Sequence, residues 1–215
     1  MTKTALLTLG RLPKALDIAE ALNKAGWRVI IAEPSAWHLC RVSRYVAKSF
    51  AITAPNTNQN QYLNDLLEII RAEEVSLVVP VSEEALHATL IEENLPDGVM
   101  LFSAPQAQLQ QLHNKYEFNR LCLSLELPVP KTFWMHDEKA ASFSQDNDYI
   151  LKPACTCSGQ GFSAHIAGEA LPESRNSQQI IVQEQMKGAL KSTFSVVHEG
   201  RVIGTIVYKA AMLSG

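Results

Sequence analysis

The sequence predicts an α/β protein in two parts: an open parallel sheet with helices on both faces, then an antiparallel α+β lobe. Three observations predict it. Short apolar runs alternate with amphipathic stretches through the first hundred residues. That alternation stops beyond Pro130, where apolar runs follow one another with no room for crossover helices between all of them. Between the two regimes lies a helical stretch ended by Pro128 and Pro130. We place the parts at residues 1–105 and 106–215.

The elements follow in order. "ALLTLG" (Ala5–Gly10) reads as a buried parallel strand. "PKALDIAEALNKAG" (Pro13–Gly26) is a helix, with Ala15, Leu16, Ala19 and Leu22 at helical spacing, proline in the first turn and glycine past the end. "RVIIAE" (Arg28–Glu33) closes the first βαβ unit. "KSFAIT" (Lys48–Thr53) is a third strand, Asn60–Glu74 a helix and "VSLVVPV" (Val75–Val81) a fourth strand. Ser82 is the expected cap of the helix "EEALHATLIEEN", with Glu83 and Glu84 at its positive end. "VMLFS" (Val99–Ser103) is the fifth strand. One or two helices follow, with Leu112, Phe118, Leu121, Cys122 and Leu125 as the apolar face and Lys115 on the opening turn. "KTFW", Tyr149–Ala154, Gly161–Ala167 and Gln179–Met186 are strands, and two more flank the turn "HEGR" (His198–Arg201).

Composition narrows the function classes. The chain has 215 residues, 47% hydrophobic and 19% charged, an ordinary globular balance. Its net charge of −3 argues against a nucleic-acid partner. No apolar run approaches the roughly 20 residues that cross a bilayer, so no membrane role is expected. "MTKTALLTLGRLPK" lacks the length and cleavage site of a signal sequence, which gives a cytoplasmic expectation. Four cysteines include one isolated CxC, Cys155 and Cys157, without the second pair of a structural zinc site. Gly10 is the only glycine in the first strand–helix turn, so the dinucleotide fingerprint is absent, although Glu33 stands about where a ribose-binding acid would.

The stretch with most chemistry is "YILKPACTCSGQGFSAH" (Tyr149–His165). A strand delivers Lys152, and small and glycine residues follow. Ser158, Gly159, Gln160 and Gly161 are suited to wrap over phosphates, with Lys152 as the charge. The lysine precedes the glycines, the reverse of a Walker A loop. Spacing alone leaves an ordinary mobile hairpin equally open.

At this point the chain resembles the ATP-grasp superfamily, closest to its carbamoyl-phosphate-synthase-like branch. The resemblance rests on "VVPVSEEALHA", "HNKYEFNRLCLSLELPVPKTF", "YILKPACTCSGQGFS" and "IIVQEQMKGALKSTFSVVHEGRV", in that order. It implies a Rossmann-like pre-ATP-grasp domain followed by the first lobe of an ATP-grasp domain. It also implies that Lys115 and Lys152 reach the phosphates of ATP and that Ser158–Phe162 close over them. Glu184, Gln185, Met186 and Lys187 would form the hinge that reads adenine. Leu190 stands where the family usually has a ribose-binding acid. Glu184 and Glu199 are the only acids beyond Glu173, so a set of Mg²⁺ ligands is expected only in a longer enzyme. The implied activity is ligation: ATP phosphorylates a carboxylate substrate, and an amine or thiol displaces the phosphate. No catalytic residue is assigned from the sequence. This chain by itself is expected to be an inactive N-terminal fragment, self-associating through its last strands, with Ile203, Ile206, Val207 and Met212 partly exposed. The alternative is a non-catalytic nucleotide-binding or interaction module.

Overall fold

The computed structural model describes residues 2–156, 160–173 and 179–209. The chain divides into two compact units, Met1–Asn114 and Lys115–Gly215. The helix Gln106–His113 therefore groups with the first unit, nine residues beyond the boundary set from composition.

The first unit is a five-stranded parallel sheet in the order β3-β2-β1-β4-β5, built from β1 (Thr4–Thr8), β2 (Arg28–Glu33), β3 (Lys48–Ala51), β4 (Val75–Val79) and β5 (Met100–Leu101). Strands β1 and β2 are buried on both faces, which is why they read as unbroken apolar runs. Helix α1 (Pro13–Lys24) closes one face through Ala15 and Ala19, packed with Leu7, Val29 and Ile31. Helix α2 (Gln59–Ala72) closes the other through Tyr62, Leu66, Ile69 and Ile70, against Leu6, Ile30 and Val78. Asn58 caps α2 by accepting from the Gln61 amide at 3.1 Å.

Two buried carboxylates organise the carboxyl ends of these strands. Glu33, fully buried, accepts from the Arg11 amide (3.1 Å), the Arg11 guanidinium (2.5 Å) and the Ser35 amide (3.0 Å). It is committed to holding two loops, which removes it as a ribose reader. Glu84 overturns the capping expectation. Its Oε1 accepts from the Thr8 hydroxyl, the Val81 amide (2.7 Å) and the Ser82 amide (3.1 Å), and the residue is buried. Ser82 caps nothing; its hydroxyl accepts from Lys14 at 3.1 Å. The orphan amides after β4 needed an acceptor, and a side chain from the next turn supplied it. The expected helix beyond it breaks into one α-turn, α3 (Ala85–Ala88), and a 3-10 helix, Thr89–Asn94. The Thr89 hydroxyl bonds back to the Ala85 carbonyl at 2.9 Å and also reaches Gln106, on α4 (Gln106–His113), which loosens the regular helix there.

The second unit starts with α5 (Lys115–Ser124). Its sheet runs β6-β9-β7-β8, all antiparallel, from β6 (Thr132–Trp134), β7 (Tyr149–Pro153), β8 (Ser163–His165) and β9 (Ile180–Glu184). Helix α6 (Glu138–Asp146) escaped the sequence reading. Its signal was present: Asp137 accepts from the Lys139 amide at 2.9 Å as an N-cap, and Ala140, Phe143 and Ser144 recur at helical spacing. Phe143 and Ala140 pack on Tyr149, Leu151 and Val182 to form this unit's core. The apolar face expected of the α4–α5 stretch is corrected. Leu112 lies on α4, in the first unit, and is exposed; Phe118 and Leu125 are exposed too. Cys122 is buried beside a polar residue, Asn119, whose amide donates to the Pro130 carbonyl at 2.9 Å.

A separate two-stranded sheet, β10 (Ser192–His198) with β11 (Arg201–Tyr208), turns at Glu199 and Gly200, both with positive φ, as a two-residue hairpin requires. Ile203, Ile206 and Val207 are exposed, as expected; Met212 lies outside the described residues. Among the described residues no helix is long and apolar enough to cross a membrane.

Replacing Glu33 with alanine leaves three part-buried donors without their acceptor. Urea denaturation should show a loss of about 3 kcal/mol. A loss below about 1 kcal/mol would mean that Glu33 is not what ties the loops after β1 and β2.

Candidate functional site

Lys152 lies on β7, in the middle of the second unit's sheet. Strand alternation puts Tyr149 and Leu151 on the core face and Ile150 and Lys152 on the other. On β9 the same alternation puts Gln183 beside them. Ile150 pairs with Gln183 and Lys152 with Ile181, so Lys152 and Gln183 are diagonal neighbours. The Lys152 ammonium donates to Gln183 Oε1 at 2.8 Å. Gln183 Nε2 donates to the Thr132 hydroxyl at 2.8 Å, and that hydroxyl donates to the Pro130 carbonyl at 3.0 Å. Asn119 of α5 donates to the same carbonyl. A polar chain thus runs from β7 through β9 and β6 to the helix.

Lys115 opens α5 and folds back on the segment that leaves β7. Its amide donates to the Ala154 carbonyl at 3.0 Å. Its ammonium meets the carbonyls of Pro153 (3.3 Å), Ala154 (3.3 Å) and Thr156. Both lysines therefore serve one strand end. Burial, and after it the charge of Lys115, holds the Lys152 ammonium below the ordinary lysine pKa. Among the described residues no carboxylate lies within 4.0 Å of either ammonium. The arrangement is a half-buried positive site, satisfied by neutral oxygens, with room in its charge balance for an anion.

The glycine loop is described in part. Ser158 and Gly159 lie outside the described residues, as does Cys157. The Gln160 carbonyl accepts from Thr156 Oγ1 at 3.4 Å. Gly161 has φ +73°, and a Cβ there would meet the Pro153 ring at 2.9 Å. The glycine is thus required by close approach to the strand end as well as by its backbone conformation. Phe162 is exposed. Cys155 is a free, exposed thiol.

The expected hinge lies at the end of β9. The Glu184 amide donates to the Lys131 carbonyl at 2.9 Å, and its carboxylate accepts from the Lys131 amide at 3.1 Å. The Gln185 amide donates to the Asp148 carbonyl at 3.1 Å. Met186 and Lys187 are exposed, with Lys187 Nζ 4.0 Å from Asp148 Oδ2. Leu190 is exposed. The structure brings Lys115, Lys152, Gln160 and Gly161 around the end of β7 and sets Glu184–Lys187 at the end of the neighbouring strand. Gln183, Thr132, Thr156 and Asn119 were missed. Alternation in "IIVQEQM" offered a signal for Gln183 alone, since it falls on the face opposite the apolar Val182.

Among the described residues no three histidine, cysteine or acidic side chains converge. These residues do not fit a protein-ligated Mg²⁺ site, and no chemical step is assigned to the ion here.

No family model matches the chain, and no curated protein does. Solved structures do. An L-amino acid ligase from Bacillus licheniformis superposes with a TM-score of 0.69 at 14% identity, over 99% of this chain and 52% of that one. An N5-carboxyaminoimidazole ribonucleotide synthetase in complex with ADP gives 0.68 at 14%, over 96% and 52%. The biotin carboxylase domain of the Hydrogenobacter thermophilus 2-oxoglutarate carboxylase, a dimer with MgADP, ADP and bicarbonate, gives 0.61 at 14%, over 78% and 38%. All three are ATP-grasp enzymes. The chain spans about half the length of the first of these. At such identities the likeness is one of fold.

A carboxylate in place of the Gln183 amide would pair with Lys152 and cancel the charge that an anion needs. Gln183→Glu should weaken binding of inorganic triphosphate about tenfold by calorimetric titration. Unchanged affinity would mean that anions do not approach Lys152 from the Gln183 face.

Proposed function

We propose that this chain, which has the fold of the N-terminal part of ATP-grasp enzymes, holds the nucleotide of an ATP-dependent ligase. The single observation that supports this most is Lys152: a half-buried ammonium beside a second ammonium, bonded to an amide and facing no carboxylate among the described residues. Lys152 and Lys115 neutralise phosphate oxygens, and the segment from Ser158 to Phe162 covers them. The strand end from Glu184 to Lys187 offers a carboxylate and backbone groups to an adenine edge. In the complete enzyme a substrate carboxylate attacks the terminal phosphoryl group and becomes an acyl phosphate, which an amine or thiol then opens. The lysines act by positioning and by meeting charge that builds on the transferring oxygens. The substrate is a small carboxylic acid in this reading, and the branch is the carbamoyl-phosphate-synthase-like one.

A second reading has its own support. A non-catalytic nucleotide-binding module fits the exposed Leu190 and the lack of converging acids among the described residues. The two readings separate on phosphate release from ATP, with carboxylic acids and amines present, by this chain extended through the continuation of its gene rather than by this chain alone.

The nucleotide site itself is tested by substitution. Lys152→Ala should weaken ATP about tenfold or more, because a lost charge-assisted contact costs about 1.5–3 kcal/mol. Lys191→Ala should leave affinity nearly unchanged. Equal affinities for the two variants, read by calorimetric titration, would remove Lys152 from the phosphate site.

A further inference from the structure

On the opposite face of the same sheet, three side chains line up in a different way. Ser163 and His165 are two residues apart on β8, so they share a face, and their pairing with Leu151 and Tyr149 places that face on the core side. Ser163 Oγ lies 2.9 Å from His165 Nε2. His165 Nδ1 lies 2.8 Å from Glu169 Oε2. An ionised carboxylate only accepts, so Nδ1 carries the proton and donates to Glu169. In the neutral imidazole Nε2 is then the free lone pair, and the serine hydroxyl donates to it. We propose that Ser163, His165 and Glu169 form a nucleophilic site, a serine–histidine–glutamate relay that accepts the acyl group of small activated esters.

The relay is held in place by groups outside it. The His165 ring stacks on Tyr149, with centroids 4.9 Å apart and planes 9° apart. Tyr149 is fully buried, and its hydroxyl donates to the Glu169 backbone carbonyl at 3.1 Å. One fixed phenol thus positions both the base and the residue that orients it. The turn carrying Glu169 has three further ties. The Ala167 amide donates to Asp148 Oδ1 (3.2 Å), the Gly168 amide to the Ser144 carbonyl (2.9 Å) and the Glu169 amide to the Ile166 carbonyl (3.2 Å). Gly168 makes the turn with φ +85°. The site is also reachable: Ser163 is half-buried on the edge strand, and the His165 and Glu169 side chains are 22% and 46% exposed.

Ser163 Oγ attacks the acyl carbon while its proton passes to His165 Nε2, and Glu169 stabilises the imidazolium. The bond from the acyl carbon to the leaving oxygen breaks, and the aryloxide departs. The imidazolium then gives its proton to solvent, water attacks the acyl-serine with His165 Nε2 taking the water proton, and that proton passes to Ser163 Oγ as the carboxylic acid leaves. An aryloxide departs without acid assistance, which is why activated esters are the substrate class. Lys152 and Gln183 take no part, since they lie on the other face.

The probe is p-nitrophenyl acetate, with nitrophenolate release followed by absorbance and the modified residue found by peptide mass mapping. Acetylation should map to Ser163, vanish in Ser163→Ala, fall about 100-fold or more in His165→Gln and about tenfold in Glu169→Gln. Thermal melting confirms that each variant is folded. Glu169→Gln, which is isosteric, keeps the proposal testable if Ser163→Ala does not fold. Inorganic triphosphate, which probes the Lys152 face, should leave the acetylation rate unchanged, so this site stands or falls apart from the nucleotide site. Acetylation absent from Ser163, or as fast in His165→Gln as in the parent, would overturn the proposal.

Discussion

The second unit is organised around a cation that no acid among the described residues neutralises. Lys152 sits on a central strand of an antiparallel sheet, half removed from water, and donates to a neutral amide. A buried carboxylate partner would have satisfied it more strongly and left it inert toward ligands. An amide oxygen holds the ammonium in place while leaving its charge available. Gln183 in turn needs an acceptor for its own N–H, which Thr132 supplies, and Thr132 and Asn119 both donate to the Pro130 carbonyl. The cost of leaving any of these groups unpaired fixes how α5 and β6 lie against β9. Lys115 then arrives at the strand end as a consequence of where α5 starts.

The first unit uses the opposite solution. Glu33 and Glu84 are buried acids that accept from backbone amides and from Arg11 or Thr8, Glu84 through Oε1 alone. They close the loops at the carboxyl ends of the strands, the place where parallel sheets often bind ligands. With Glu33 so committed and a single glycine in the first turn, a dinucleotide has neither its phosphate cradle nor its ribose acid there.

Two faces of one four-stranded sheet carry different chemistry because strand side chains alternate. One face holds Lys152 and Gln183; the other holds the core and, at its edge, Ser163 and His165. A single residue of register shift would exchange them. The pairing of Tyr149 with both His165 and Glu184 therefore decides where each site lies. The hairpin β10–β11 stands outside this logic, with apolar residues exposed along its length.

Much of this was legible in the residues themselves. The alternating runs determined the parallel sheet, because strands buried on both faces must be apolar throughout and their crossovers must be amphipathic helices. The order of a strand, Lys152 and glycines marked the cationic strand end, since glycine and a fixed lysine are locally encoded. The likeness of fold to ATP-grasp enzymes was anticipated from the order of four motifs. Tertiary structure decided the rest. Glu84 reads as a helix-start acid, and only the buried Thr8 hydroxyl and the orphan amides after β4 turn it inward. Phe118 reads as core and Asn119 as surface, yet the Pro130 carbonyl reverses them. Gln183 acquires its role from a diagonal contact across two strands that are 31 residues apart in sequence at that point. Such partners are set by register and by which polar groups the fold buries, and neither is written in local spacing.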